Sequence, residues 1–200
     1  MLKRLVDLAI SVSVLLIAWP FLLFIAMLIK FESKGPVLFV QDRIGRNGSI
    51  FQMYKFRTMV RDAERMGTGL CSYSDDPRVT RVGRYLRKMS FDELPQLFNV
   101  LSGTMSIVGP RPPVTYELGN WADFTDQMKV RFRVKPGITG LAQISGRNSL
   151  GWPEKILLDN EYVARFERFG VLVDIAIIVR TIGVIVSMKN VVEQAPMEER

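Results

Sequence analysis

The 200-residue sequence contains no histidine, which excludes a His-based catalytic triad, a His general base and the usual His-containing zinc sites. Proton transfer and nucleophilic attack are left to Asp, Glu, Lys, Tyr, Ser or Cys. Cysteine is nearly as scarce. Cys71 stands alone, so no intrachain disulfide can form, and a reducing compartment fits better than an oxidising one. It lies in a Gly/Ser/Asp-rich stretch and reads as an incidental thiol. The chain also lacks an internal repeat, a low-complexity tract, a Walker motif and a GxGxxG. Acidic residues are in deficit, 20 Asp and Glu against 27 Lys and Arg, a formal charge of +7. That balance favours an anionic partner without choosing among nucleic acid, anionic lipid and nucleotide. The length suits a single core.

What is present begins with an apolar run from Leu8 to Ile29. As a helix of about 22 residues it extends roughly 33 Å, enough to cross a bilayer core. It exceeds the h-region of a typical signal peptide, and no Ala-x-Ala site follows it. Cations flank it on both sides, Lys3 and Arg4 before, then Lys30, Lys34, Arg43 and Arg46 after. The positive-inside tendency therefore draws both ends to the cytoplasm. Trp19-Pro20 sits near the midpoint, where proline removes a backbone donor and bends a helix. Hydropathy leaves two forms open: an ordinary spanning anchor and a re-entrant hairpin hinged at Trp19 and Pro20.

After Glu32 the composition becomes that of a water-exposed domain. Pro36 to Gln41 and Ile50 to Met59, rich in β-branched and aromatic residues and separated by Gly45, Asn47 and Gly48, predict a β-hairpin. Lys55 and Arg57 share strand parity, so both point to one face. Residues 60–77 read as a short polar helix followed by a loop ending at Asp76-Pro77. Val82, Tyr85, Leu86 and Met89 recur at helical spacing on one side, with Arg81, Arg84 and Lys88 on the other.

The stretch Met89-Ser-Phe-Asp-Glu-Leu-Pro-Gln96 then presents two adjacent carboxylates, Asp92 and Glu93, behind the cations Arg78, Arg81, Arg84, Arg87 and Lys88. Ser90 and Glu93 match a capping box, while a second register starts the helix at Pro95. Both put the acids at a helix start, which suits anions. Caps alone would explain them equally well. In Gly103 to Pro113 an arginine, Arg111, stands between prolines whose fixed angles reduce the entropy of positioning a guanidinium to grip a phosphate, or simply stiffen a linker. Arg133 to Gln143 and Ser145 to Asn148 set more cations among glycines. Trp152 to Met188 is helical by pattern, and Asp174, Arg180 and Thr181 make its last segment a core or interfacial helix rather than a crossing. Residues 189–200 form a charged end.

Taken in order, Lys55-Phe-Arg-Thr-Met59, Asp92-Glu-Leu-Pro-Gln-Leu-Phe-Asn-Val100, Gly109-Pro-Arg-Pro112, Lys135-Pro-Gly-Ile-Thr-Gly-Leu-Ala-Gln143 and Gly146-Arg-Asn148 resemble the small monotopic phosphoglycosyl transferases, the bacterial sugar transferases that act on polyprenol phosphate. The resemblance runs from the apolar segment to about Asp174. It implies a membrane-bound enzyme on the cytoplasmic face of the bacterial inner membrane. Such an enzyme transfers a sugar 1-phosphate from a nucleotide sugar, usually a UDP-sugar, to undecaprenyl phosphate and releases UMP. By resemblance Asp92 is the nucleophile and Glu93 its catalytic partner, Lys55, Arg87, Arg111 and Arg147 lie near the transferred phosphates, and Mg2+ is required, with Asp92 a metal ligand. The segment 1–32 is then a re-entrant membrane-anchoring helix, although Trp19 stands where the family commonly has Ser before the proline.

The expected architecture is α+β and mostly helical: that anchor, a compact cytoplasmic-face catalytic domain over 33–188 with a small β-hairpin and interfacial amphipathic helices, and a tail over 189–200. Nucleotide sugar, undecaprenyl phosphate and membrane lipid are the expected partners, with no nucleic acid; a homodimer is left open. The rival reading is a membrane-tethered nucleic-acid-binding module. Which sugar is carried is not legible, because the matching motifs concern phosphate chemistry.

Overall fold

The computed structural model describes residues 1–69, 73, 75–146 and 149–187, without the side chains of 185–187. Cys71, Arg147 and the tail lie outside the described residues. The fold is mostly helical with two small sheets. Helix α1 (Leu2–Glu32) is followed by strands β1 (Leu38–Ile44) and β2 (Ile50–Phe56), helices α2 (Arg81–Lys88) and α3 (Gln96–Ser102), and strand β3 (Ser106–Val108). Then come α4 (Asp126–Val130), β4 (Gly137–Thr139), α5 (Leu141–Ser145), α6 (Trp152–Phe169) and α7 (Val171–Ser187).

The expected hairpin is present, with β1 and β2 antiparallel and Leu38 opposite Phe56. β3 and β4 form a separate parallel pair. The core lies where α1, α3, β3, α6 and α7 meet, around Val100, Met105, Val108, Tyr162 and Val163. Asn99 of α3 ties this core to the hairpin. Its Nδ2 donates to the Gln52 carbonyl at 2.6 Å and its Oδ1 accepts from the Tyr54 amide at 3.0 Å, so one side chain satisfies the free edge of β2.

α1 is 31 residues long, about 46 Å of helix. Among the described residues it is the one helix long and apolar enough to cross a membrane. Trp19 and Pro20, the expected hinge, lie inside a continuous helix, where proline withholds one amide from the ladder without ending it. Leu16, Ile17, Trp19, Leu23 and Phe24 are exposed, an apolar surface of the kind that contacts membrane or partner. Both ends of α1 are fastened to the rest of the chain. At the start, Lys3 Nζ donates to Asp174 Oδ2 at 2.6 Å and to the Val108 carbonyl at 3.0 Å. Arg4 reaches the Val100 and Leu101 carbonyls, and buried Asp7 accepts from Ser106 Oγ and the Ile107 amide. At the far end Arg57 donates to the carbonyls of Ile29, Ser33 and Lys34 at 3.2, 2.8 and 3.0 Å, and Glu32 accepts from the amides of Arg81 and Val82 that open α2.

Several local expectations are corrected. Residues 60–77 contain no α-helix among those described, only a 3-10 turn at Ala63–Arg65. Asp76 and Arg78 organise the segment instead: the buried Arg78 guanidinium pairs with Asp76 at 2.6 Å and holds the carbonyls of Ala63, Met66 and Gly69. α2 forms where the spacing predicted it, capped by the Thr80 hydroxyl. Yet its buried positions are Gly83 and Leu86, and Tyr85 and Met89 are exposed. The reason is backbone proximity. A Cβ on Gly83 would stand 2.1 Å from the Thr58 carbonyl oxygen, so α2 packs through its glycine rather than through Tyr85.

The Ser90 capping box does not form. Ser90 is left-handed, at φ 57°, and makes no side-chain cap bond. A 3-10 turn covers Phe91–Glu93, and Pro95, with helical angles, opens α3. The Pro95 register is the one realised. Lys55 and Arg57 both line one cavity, but so does Phe56 of the opposite parity, and Arg57, just beyond β2, spends its guanidinium on α1 and the turn after it.

Candidate active site

Asp92 and Glu93 reach the cavity from the 3-10 turn between α2 and α3, which the left-handed Ser90 turns inward. β2 supplies Lys55, the segment after β3 supplies Arg111, and α2 supplies Arg87. Lys55 Nζ lies 2.8 Å from Glu93 Oε1 and 3.9 Å from Asp92 Oδ2. Arg111 donates to the same Glu93 oxygen at 3.0 Å. Arg87 reaches Thr58 Oγ1 at 2.8 Å and contributes positive charge beside Asp92. The structure thus brings five of the expected residues together. Arg147, the sixth, is not among the described residues.

The two acids are treated unequally. Burial alone would raise the Glu93 carboxyl, but the Lys55 and Arg111 charges and their hydrogen bonds overcome it and hold it far below the ordinary range. Asp92 is raised, chiefly by burial, with the neighbouring Glu93 charge adding to the effect and Lys55, Arg87 and Arg111 offsetting part of it. Asp92 accepts no hydrogen bond from any described residue and is only 9 % exposed. Glu93 is a fixed anion that spaces two cations, and Asp92 is a carboxylate with unused lone pairs. Burial lowers Lys55, while the Glu93 charge raises Arg111. Environments that push two carboxyls apart divide their roles.

All of these groups line a cavity of about 1180 Å³, larger than one drug-sized ligand requires. Its lining is polar at Lys55, Arg111, Arg43, Lys155 and Asp159, and apolar at Ile10 and Val14 of α1, Ile138 and Ala142, and Ile178 and Ile182 of α7.

Sequence reasoning took Arg43 only as a cation flanking the apolar run, and missed the Arg131–Asp159 pair. Arg43 donates to the Pro112 carbonyl at 2.9 Å and to Gln41, and burial together with nearby Arg111 lowers it to about 10. Its signal was strand parity with Gln41 in β1. Arg131 and Asp159 are both buried, 2.8 Å apart, and Arg131 also donates to the Arg111 carbonyl at 2.6 Å, holding the Pro-Arg-Pro backbone in place. No local pattern joins residues so far apart in sequence.

The family described as bacterial sugar transferase matches residues 1–188. The undecaprenyl-phosphate galactose phosphotransferase of Salmonella typhimurium is 38% identical over 198 residues, covering 92% of this chain and 40% of that protein. The undecaprenyl-phosphate glucose phosphotransferase of Komagataeibacter xylinus is 45% identical over 188 residues, covering 90% of this chain and 35% of its own length. Against these two the chain spans well under half of the relative. The exopolysaccharide production protein ExoY of Sinorhizobium fredii is nearer in size, 39% identical over 194 residues, with 90% and 83% covered. With a family match over nearly its whole length and its acids set among cations in one cavity, the chain belongs to the bacterial sugar transferase family.

Proposed function

We propose that this chain transfers a sugar 1-phosphate from a UDP-sugar to undecaprenyl phosphate, giving undecaprenyl-diphospho-sugar and UMP, as the first membrane step of a glycoconjugate pathway at the cytoplasmic face of the bacterial inner membrane. The observation that carries this reading is the inequality at the acid pair: Glu93 is claimed by Lys55 and Arg111, while Asp92 faces the cavity with free lone pairs. An Asp92 carboxylate oxygen attacks the β-phosphorus. The bond from that phosphorus to the bridging oxygen breaks, and UMP leaves with the electron pair, so the phosphosugar remains on the enzyme as an acyl phosphate. A phosphate oxygen of undecaprenyl phosphate then attacks the same phosphorus, and the Asp92 carboxylate is released. Lys55, Arg87 and Arg111 neutralise charge on the phosphoryl oxygens, the main requirement of phosphoryl transfer.

The residues fit Mg2+ bound jointly with substrate. The Asp92 oxygens accept no hydrogen bond among the described residues, and Mg2+ needs one or two carboxylates plus phosphate and water oxygens. When bound it would add charge stabilisation between the phosphates. The rival nucleic-acid reading gains no comparable observation, because Arg78 is buried around Asp76 and Arg87 turns inward to Thr58.

The test is incubation with UDP-sugar alone. It releases UMP in at most stoichiometric amount and leaves phosphosugar on the protein; continuous release without undecaprenyl phosphate, or none, would overturn the reading. The pH dependence follows from the acid pair. Asp92 attacks only when ionised, so kcat/KM for the donor falls as pH drops through a carboxyl value raised above the ordinary 3.8. Glu93→Gln removes the like charge and frees Lys55 and Arg111 to face Asp92. The acid limb then moves to lower pH even as the maximum rate declines. A limb that stays put or moves upward counts against Asp92 as the ionising nucleophile.

The re-entrant topology is supported by the fastening of both ends of α1 to one body. In a Cys71→Ser background, Leu2→Cys and Lys34→Cys should react with an impermeant thiol reagent from the same side of the membrane. Reaction from opposite sides would exclude the hairpin.

A further inference from the structure

Gln143 stands on the third turn-position of α5 and lines the same cavity as Asp92. Its Nε2 and Oε1 are both buried, and neither has a hydrogen-bond partner among the described residues. A buried carboxamide without partners is costly, and its persistence here points to a polar group supplied by a ligand. The backbone makes room for it. A Cβ on Gly140 would stand 2.8 Å from Gln143 Oε1 and 2.2 Å from the Gly109 carbonyl oxygen, so only glycine lets the amide fold back towards the segment that leads to Arg111.

The rest of the lining describes the ligand. Ile10 and Val14 of α1 and Ile178 and Ile182 of α7 supply apolar surface to this cavity, and Lys155 of α6 adds a cation. Ile182 is 61% exposed, so the lining at α7 reaches the protein surface. The Thr139 and Thr181 hydroxyls, which line the same cavity, satisfy each other at 2.7 Å. Arg131 and Asp159 also carry unpartnered buried atoms but face each other as an ion pair, whereas the Gln143 amide has no such counterpart among the described residues. A molecule entering between α1 and α7 meets Ile and Val side chains along its length, and an anionic hydrogen-bond acceptor at its leading end suits the Gln143 amide and the Lys155 ammonium. A nucleotide sugar, polar throughout, fits the Lys55 and Arg43 side instead.

We infer that Gln143 is a binding residue for the lipid acceptor, its Nε2 donating to a phosphate oxygen of the polyprenyl phosphate while the isoprenoid chain lies between α1 and α7. This rests on the proposed transferase reading and adds which wall receives which substrate. The amide is neutral, so it orients a phosphate oxygen without the electrostatic grip that would retain the diphosphate product.

The experiment compares Gln143→Met and Gln143→Glu, both close in size to glutamine, on the full chain in detergent micelles with undecaprenyl phosphate and a UDP-sugar. Gln143→Met raises KM for undecaprenyl phosphate about tenfold or more, the loss of one hydrogen bond from a neutral donor to a charged phosphate, and moves KM for the donor less than twofold. Gln143→Glu raises the acceptor KM further, because a carboxylate repels a phosphate where methionine does not. A melting temperature for each variant separates folding from binding, and the charge-dependent order Gln, Met, Glu is one that a structural role would not produce. An unchanged acceptor KM in both variants, equal effects of Met and Glu, or a rise confined to the donor KM overturns the assignment. Absence of any phosphosugar-enzyme in the unmodified chain would overturn the transferase reading itself, a result independent of Gln143.

Discussion

Asp92→Asn is expected to abolish the proposed transfer, lowering the rate on the order of 10⁴-fold or more, and to leave the melting temperature at pH 7 unchanged or higher. The two halves of that result have separate causes. Asn keeps the size of Asp but has no anionic oxygen to attack phosphorus, so no acyl phosphate forms and UDP-sugar alone yields no UMP. Stability behaves otherwise because Asp92 is charged at a cost. Its folded carboxyl lies above its ordinary value through burial. The folded state therefore binds that proton more readily than the unfolded chain, and stability declines as pH rises through the raised value. At pH 7 the neutral amide removes that cost, and the 3.9 Å contact with Lys55 is too long for its loss to reverse the sign. Near-normal turnover by Asp92→Asn would remove Asp92 as nucleophile, and a large fall in melting temperature would mean the carboxylate has a structural role.

Asp159→Ala is expected to destabilise the protein by about 3–5 kcal/mol, because it strands a buried guanidinium without its counter-ion. For a chain of this size the melting temperature falls by roughly 10 °C. Arg131 is 2% exposed and Asp159 1%, so water cannot take over the lost partner. Arg131 also stacks over Trp152, with its guanidinium carbon 5.0 Å from the ring centroid, and donates to the Arg111 carbonyl. Activity should therefore fall with stability, through displacement of Arg111. Replacing both residues, Arg131→Met with Asp159→Leu, recovers much of the stability, since an apolar pair of similar volume carries no desolvation cost. Activity is not recovered, because Met cannot hold the Arg111 carbonyl. A single Asp159→Ala variant that melts within a degree of the unmodified protein would refute the account.

How much was legible follows from the range over which each feature is determined. The hairpin, α2 and the α6 and α7 region rest on short-range periodicity and turn residues, and the spacing reveals them. The gathering of Lys55, Asp92, Glu93 and Arg111 came from ordered motifs rather than from geometry. The Ser90 cap failed because its partner was taken: Glu93 would have closed the box, but Lys55, 38 residues back, and Arg111, 18 residues on, hold its carboxylate instead. In sequence Arg57 reads as a partner of Lys55 on one strand face and Arg78 as one of the cations before the acid pair, and only the folded chain shows them gathering carbonyl groups. Gln143 was visible within a motif, yet its importance lies in the partners it lacks, which no sequence displays.

The Lys3–Asp174 bond spans 171 residues of chain. Its ammonium is only 19% exposed and its carboxylate 4%, so neither charge is well hydrated once the other is gone. A fragment that ends before α7 would therefore leave Lys3 without its counter-charge, and the loss would be felt at α1, at the opposite end of the described fold.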